Sequence, residues 1–408
     1  MITVFTRSGG HAVDKSGFLR TVGLLVGRAV EPFSAVAIDV LTGLSRCLLA
    51  RRDVPQFSAL GYWLRPAAIN RLKESFFAGI PDNQLAAPRG LAFHLPPANV
   101  DTLFVYSWAL SLLAGNANVV RLPSSRSANF EWLLSNLIRV LSAAGDGDRH
   151  VFCGYDHSLG LNGHISAMSD LRMVWGGDAK INEVSADRLR PDGLSIGFPD
   201  RKSFAILAVG AYGDLSPPQR ESLAERFYND TFWFDQMGCG SPRVVAWIGS
   251  DEEGCLASDD FYGRVVGIAD RKGYRTETAT ALAKFSFMNE KLADGGASRG
   301  RRLSASLSIL ELAGESLAPF SQVVGGGMVG HAVLRDLHDV IDLVNRSTQT
   351  ITHFGFQPDE LMLLAKSLRV VGGYRLVPLG RALAFDQTWD GVPLLTHMTR
   401  QIVVEISG

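Results

Sequence analysis

The sequence predicts an α/β protein built on parallel sheets, on three observations. Short runs rich in Val, Leu and Phe alternate with segments of helical spacing from Arg89 onward, and glycine and proline fall between them. A chain of 408 residues, 46% hydrophobic and 20% charged, is long and apolar enough for two or three cores. Strands that alternate with helices place those helices on both faces of a parallel sheet, which binds ligands at the carboxyl ends of its strands.

The elements follow in order. Arg20 to Phe77 has helical spacing, broken by "RRDVPQFS", and predicts a helical N-terminal lead-in. "RGLAFHL" (Arg89 to Leu95) predicts a strand, Asp101 to Ala114 a helix begun near Asn99 or Asp101, "NVVRL" (Asn118 to Leu122) a strand, and Asn129 to Leu141 a helix. The rhythm continues with "HVFCGY" (His150 to Tyr155), a helix near Ser158 to Ala167, "LRMVW" (Leu171 to Trp175), and a helix opened by "GGDAKINEVSAD". A second α/β unit starts near "SFAILAVG" (Ser203 to Gly210), passes through a helix around Pro218 to Phe232, and reaches the strand "RVVAWIG". The terminal "RQIVVEI" (Arg400 to Ile406) alternates like a strand with no partner nearby in sequence, so pairing with another chain is expected of it. These readings give domains at 1–203, 204–375 and 376–408.

Composition narrows the function. A formal net charge of -1 without a Lys/Arg-rich block excludes a nucleic-acid footprint. The four cysteines, Cys47, Cys153, Cys239 and Cys255, are too scattered for a disulfide framework and show no metal-ligand spacing, so no metal and a reducing cytoplasm are expected. The N-terminus lacks the basic region and apolar core of a secretory signal. "LFVYSWALSLLAG" (Leu103 to Gly115) is shorter than the roughly 18 to 20 apolar residues of a membrane span and reads as a buried helix.

Two stretches carry chemistry. In "FWFDQMGCGSPRVVAWIG" (Phe232 to Gly249), Cys239 sits between two glycines, which leave its sulfur reachable and suit a nucleophile. In "GLAFHLPPANVDTLFVYSWALSLLAGNANVVRLPSS" (Gly90 to Ser125), Asn99 falls at a strand's carboxyl end, where its amide donates into a cleft or caps the next helix. "VVGGGMVG" (Val323 to Gly330) looks like a phosphate loop but lacks a following Lys-Ser/Thr. The aromatic run "FYNDTFWF" (Phe227 to Phe234) reads as core filling rather than the wall of a tunnel.

The order "PPAN", "GNANVVRLPSS", "WGGD", "FDQMGCGSP" resembles the aldehyde dehydrogenase superfamily, in its acyl-CoA reductase branch of the LuxC type, with weaker echoes in "NRSTQT" (Asn345 to Thr350) and "WDG" (Trp389 to Gly391). The resemblance implies a Rossmann-type cofactor domain, an α/β catalytic domain and an oligomerisation strand. It makes Cys239 the nucleophile that takes an acyl group from a thioester, and Asn99 an oxyanion donor acting with the Cys239 backbone N–H. It places Arg121 and Ser124 at the adenosine ribose, where many relatives use Lys and an acidic residue; Arg adds positive charge and Ser removes repulsion of a 2′-phosphate, which favours NADPH. Gly176 and Gly177 match the family's turn at the cofactor phosphates, and Asp235 and Gln236 are expected to hold the cysteine loop.

Hydrolytic relatives carry a glutamate base about 30 residues before the cysteine; "SIGFPDRKSFAIL" (Ser195 to Leu207) contains none, which favours reduction of the acyl group over its release as acid. The expected partners are an acyl-CoA or acyl-carrier substrate, an acyl-protein synthetase, and further copies of the chain. A CoA-acylating dehydrogenase working oxidatively on short aldehydes uses the same residues, and a non-reducing acyl-transfer or scaffold protein keeps the same fold.

Overall fold

The computed structural model describes residues 1–313, 320 and 324–405, and the chain divides into two units, Met1–Pro199 with Phe385–Gly408 and Asp200–Ala384. The sequence boundary at 203 falls inside a strand of the second unit, Lys202–Ala208, and the return to the first unit comes at Phe385.

The first unit holds β1 (Ile2–Thr6), β2 (Gly9–Val13), β3 (Gln84–Pro88), β4 (Leu91–Leu95), β5 (Ala117–Arg121), β6 (His150–Tyr155), β7 (Leu171–Trp175) and β8 (Leu194–Phe198). Its seven-stranded sheet has the order β2-β1-β6-β5-β4-β7-β8. From β6 to β8 the pairing is parallel, and the β1–β2 hairpin joins the β6 edge antiparallel. The chain winds outward from β4 through β5 to β6 and then crosses back to β7. This reversal opens a crevice at the carboxyl ends of β4 and β7, the usual ligand position in such sheets.

The helix Leu103–Leu113 is buried on every side, as its apolar composition requires. Its one face carries a chain of polar groups across the sheet. Trp175 Nε1–H donates to Ser107 Oγ at 3.0 Å. An amide oxygen only accepts, so His94 Nε2–H donates to Asn118 Oδ1 at 2.9 Å, and the neutral ring's Nδ1 accepts from the Ser107 hydroxyl at 2.8 Å. Asn118 Nδ2 then donates to His150 Nδ1 at 3.2 Å, a nitrogen that also receives Trp108 Nε1–H at 3.3 Å, leaving His150 Nε2–H for Asp146 at 3.2 Å. Burial lowers both imidazole pKa values, that of His94 to about 4. Both rings are thus held neutral in a single tautomer, and four strands are tied beneath one helix.

The second unit holds β9 (Lys202–Ala208), β10 (Pro242–Ile248), β11 (Ala297–Arg302), β12 (Ser308–Leu312), β13 (Met328–Leu334), β14 (Thr348–Phe354) and β15 (Arg375–Pro378). They form a sheet of order β11-β12-β13-β10-β9-β14-β15, parallel except at the β11 edge. Phe227, Trp247 and Phe261 fill one face, and Phe204, Ile206 and Phe287 the other. Phe227, Tyr228 and Phe232 of the aromatic run are core residues.

The return segment adds the short hairpin strands β16 (Thr388–Trp389) and β17 (Val392–Pro393), then β18 (Thr399–Val403). The last strand has no partner nearby in sequence, as expected, and finds one far along its own chain: β18 pairs antiparallel with β3, from Thr399 opposite Pro88 to Val403 opposite Gln84, in a two-stranded ribbon. Ile406 lies outside the described residues. Among the described residues no helix is long and apolar enough to cross a membrane.

Candidate active site

In the first unit, the carboxyl ends of β4, β5 and β6 and the helix Asp178–Ser185 line a cavity of about 300 Å³. Arg121, the last residue of β5, and Ser124 three residues later both border it, as do Pro96, Ala98 and Lys180. The Arg121 guanidinium lies over the Tyr155 ring at 4.8 Å and donates through Nη2 to the Tyr155 carbonyl at 3.2 Å, while its buried Nε finds no hydrogen-bond partner among the described residues. Gly177 is the N-cap of the helix that follows β7, so the opening-turn amides, which have no acceptor within the helix, start directly after the glycine pair.

Lys180 is a cavity residue that the sequence reading missed. Its ammonium bridges the ends of β4 and β7, donating to the Pro96 and Trp175 carbonyls, each at 3.2 Å. Burial and the neighbouring Arg121 charge push its pKa down to about 8. A Cβ at Gly176 would lie 2.8 Å from the Lys180 side chain, so glycine there lets Lys180 fold back over the strand end. Arg121 and Lys180, set against the Asp156 carboxylate in the same lining, leave the cavity with an excess of positive charge that fits an anionic, phosphate-bearing ligand.

Asn99 is exposed on the loop after β4. The helix that follows has Thr102 at its N-cap position, with no side-chain capping bond from that residue.

Cys239 belongs to the second unit, on the loop between the helix Pro217–Phe232 and β10, at the amino ends of the central strands. It is half-buried, whereas Cys153 is buried with its thiol pushed up to about 12 by desolvation, and Cys255 is exposed on the helix Asp251–Arg271. Three neighbours brace the loop. Ser203, in β9, donates through Oγ to the Cys239 carbonyl at 2.7 Å and accepts the Thr350 N–H at 3.1 Å. The Ala382 carbonyl lies 2.6 Å from where a Gly240 Cβ would stand, so only glycine fits after the cysteine; Ala382 is itself tied to the buried Asp230 carboxylate at 3.0 Å. The glycine-rich turn closes the third side: Gly326 N–H donates to the Asp235 carbonyl at 3.0 Å. That turn therefore supports the cysteine loop rather than cradling phosphate, and its Val323 lies outside the described residues.

Asp235 and Gln236 have φ values of 51° and 61°, a left-handed pair that costs about 1 to 2 kcal/mol per residue. Gln236 Nε2 offsets this by donating to the Pro242 and Met328 carbonyls at 2.9 and 3.0 Å, and the Tyr274 hydroxyl donates to Asp235.

Arg243 is the second residue that the sequence reading missed. It sits at a register shift between β10 and β9 and is 7% exposed. Burial lowers its pKa, opposed by the charges of Cys239 and Asp200. Strand irregularities of this kind re-aim side chains beside active sites, and a second one lies between Thr348 and Ile351 of β14, within the "NRSTQT" echo. A guanidinium next to a thiol favours the reactive thiolate. In the segment Ser195–Leu207 the single acidic side chain is Asp200, before β9. Among the described residues no group of three or more His, Cys, Asp or Glu is arranged to hold a metal ion.

Residues 76–262 match the family model described as acyl-CoA reductase (LuxC). No curated protein matches the chain. Aldehyde dehydrogenase 21 from Physcomitrella patens, solved with the reaction product succinate, superposes with a TM-score of 0.72 at 11% identity, covering 98% of this chain and 97% of that one. Glyceraldehyde-3-phosphate dehydrogenase GapN from Methanocaldococcus jannaschii, solved with NADP, gives 0.67 at 11% identity over 98% and 96%. The NADP-dependent glyceraldehyde-3-phosphate dehydrogenase from Bacillus halodurans C-125, also solved with NADP, gives 0.64 at 14% identity over 99% and 95%. The fold is that of the aldehyde dehydrogenases.

Proposed function

We propose, on the premise that residues 76–262 of this oxidoreductase match the acyl-CoA reductase (LuxC) family, that it reduces an acyl thioester to an aldehyde through an acyl group held on Cys239. The observation that carries this reading is the setting of Cys239: half-buried, flanked by glycines and braced on three sides, in a loop that the charge of the buried Arg243 reaches. Cys239 Sγ attacks the acyl carbonyl carbon, the bond from that carbon to the CoA sulfur breaks, and the acyl group stays on Sγ as a new thioester. Asn99 is assigned the carbonyl oxygen of the tetrahedral intermediate. When bound, NADPH supplies the hydride that converts this thioester to aldehyde and returns Cys239. The absence of a glutamate in Ser195–Leu207 supports reduction over hydrolysis. Intact-protein mass spectrometry with a panel of acyl-CoAs tests the reading: the expected result is one added acyl mass, mapped to the Cys239 peptide, and no adduct from any donor would refute it.

Arg121, Ser124 and Lys180 would hold the adenosine end of the cofactor, and the turn at Gly176 and Gly177 its phosphates. With Arg121 and Lys180 against the one lining carboxylate, Asp156, and no acidic residue at position 124, a 2′-phosphate is favoured, so NADPH should give the higher catalytic efficiency. Ser124→Glu is expected to shift the ratio of NADPH to NADH efficiency toward NADH by about tenfold or more, through like-charge repulsion. Steady-state kinetics with both cofactors checks this, and an unchanged ratio would move the ribose site elsewhere.

Self-association, if it uses the β3–β18 ribbon, exposes a reason for it: Leu85, Ile402 and Val403 are apolar and more than half exposed there, at 61%, 53% and 56%. Ile402→Lys is expected to lower the oligomeric mass measured by sedimentation equilibrium, and a parent that sediments as a monomer would end this assignment.

A further inference from the structure

The helix Thr278–Ala293 reverses the usual pattern. It exposes Leu282 and Phe285, at 66% and 61%, and buries the ammonium-bearing Lys284, which is 4% exposed. A buried lysine is costly unless its charge is used. Lys284 Nζ donates to the Gly326 carbonyl at 2.6 Å and to the Ala305 carbonyl at 3.1 Å, and Thr276 Oγ donates to the same Ala305 oxygen at 2.9 Å.

The turn that Lys284 grips has no other way to form. Gly325, Gly326 and Gly327 have φ values of 77°, 61° and 73°, and a Cβ at Gly326 would meet Thr280 at 2.5 Å. From this turn the Gly326 N–H reaches the Asp235 carbonyl at 3.0 Å, and a Cβ at Gly325 would lie 2.7 Å from the same oxygen. Asp235 begins the left-handed pair that leads, through Met237 and Gly238, to Cys239. The charged groups that act on Lys284 are Asp235, which attracts its charge, and Arg302, which opposes it; Tyr274 donates to the Asp235 carboxylate from the facing segment.

We propose that Lys284 is a positioning residue for the nucleophile: its ammonium, through the Gly326 carbonyl, fixes the left-handed Asp235–Gln236 turn from which Cys239 projects. The inference rests on the reading of Cys239 as the acylated residue. It also makes the loop sensitive to pH. Burial lowers the Lys284 pKa to about 8, so below that pH the bond to Gly326 is charge-assisted and Asp235 is attracted; above it both contributions are lost.

The test is the single-turnover acylation rate of the full chain, followed by intact mass from pH 6.5 to 9.5. The donor is whichever of acetyl-, octanoyl- and tetradecanoyl-CoA labels the parent fastest, and NADPH affinity is measured beside it by fluorescence titration. Lys284→Met is expected to slow acylation by about 10- to 100-fold, the effect of misplacing a reacting group by about 1 Å, with NADPH affinity unchanged. Lys284→Arg keeps the charge and is expected to acylate near the parent rate; the decline that the parent shows above about pH 8 moves up by at least about one unit, because a guanidinium stays protonated. A Lys284→Met protein that acylates at the parent rate, or an alkaline decline identical in parent and Lys284→Arg, would overturn the proposal. If Lys284→Met does not fold, the Lys284→Arg profile decides alone. A parent that takes no acyl group overturns the Cys239 reading and this one with it, an outcome distinct from a labelled parent indifferent to Lys284.

Discussion

Cys239→Ala abolishes covalent labelling by acyl-CoA and lowers turnover on the order of 10⁴-fold or more, as loss of a nucleophile does, while the protein stays folded. The fold should survive because the loop is held by groups that the substitution leaves intact. Ser203 grips the Cys239 backbone carbonyl rather than its sulfur, Gln236 is tied to the Pro242 and Met328 carbonyls, and Gly240 still admits the Ala382 carbonyl. The thermal midpoint should therefore change by no more than a surface-like substitution of about 1 kcal/mol would cause. Cys153→Ala and Cys255→Ala should keep their activity. Burial holds the Cys153 thiol protonated far above neutral pH, and Cys255 lies on the exposed side of a helix away from the braced loop. Persistent acyl labelling of Cys239→Ala, located by peptide mapping, would place the nucleophile elsewhere.

Asn99→Ala is the second large effect, expected to lower kcat on the order of 10²- to 10³-fold, as removal of one oxyanion donor does. A thermal melt beside the kinetics separates this loss from any effect on the helix that follows, whose N-cap position is Thr102. NADPH affinity should be unaffected, since Asn99 is not among the cavity residues around Arg121 and Lys180. Asn99→Asp keeps the size but opposes a developing oxyanion with a like charge, and should be at least as slow. A rise in KM with kcat intact would show that Asn99 binds substrate without acting on the transition state.

The alternation of strands and helices was legible because buried parallel strands are continuous apolar runs; His150–Tyr155 and Leu171–Trp175 were delimited without error. The hairpin Ile2–Thr6 and Gly9–Val13 was not, because its second strand, "GGHAV", is exposed and carries no apolar alternation. The partner of β18 was hidden by distance along the chain, since β3 lies near residue 84. Among the candidate site residues, Cys239 stood out in the sequence by its flanking glycines and Asn99, Arg121, Ser124, Gly176 and Gly177 by the order of their motifs, whereas Arg243, Lys180 and Lys284 did not. A basic residue in a strand or helix reads as a solvated one, and only a register shift, a strand-end bridge or an inverted helix face shows that its charge is turned inward.

The central claim is that the acyl group waits on Cys239 for reduction and is not released to water. The direct measurement is a rapid-quench experiment on the full chain with stoichiometric acyl-CoA, following bound acyl group, free acid and aldehyde together, first without NADPH and then after its addition. The predicted result is an acyl-enzyme that persists without NADPH and is discharged as aldehyde within one turnover when NADPH is added. Rapid appearance of free acid without NADPH would contradict the account, because a residue of this chain would then be activating water.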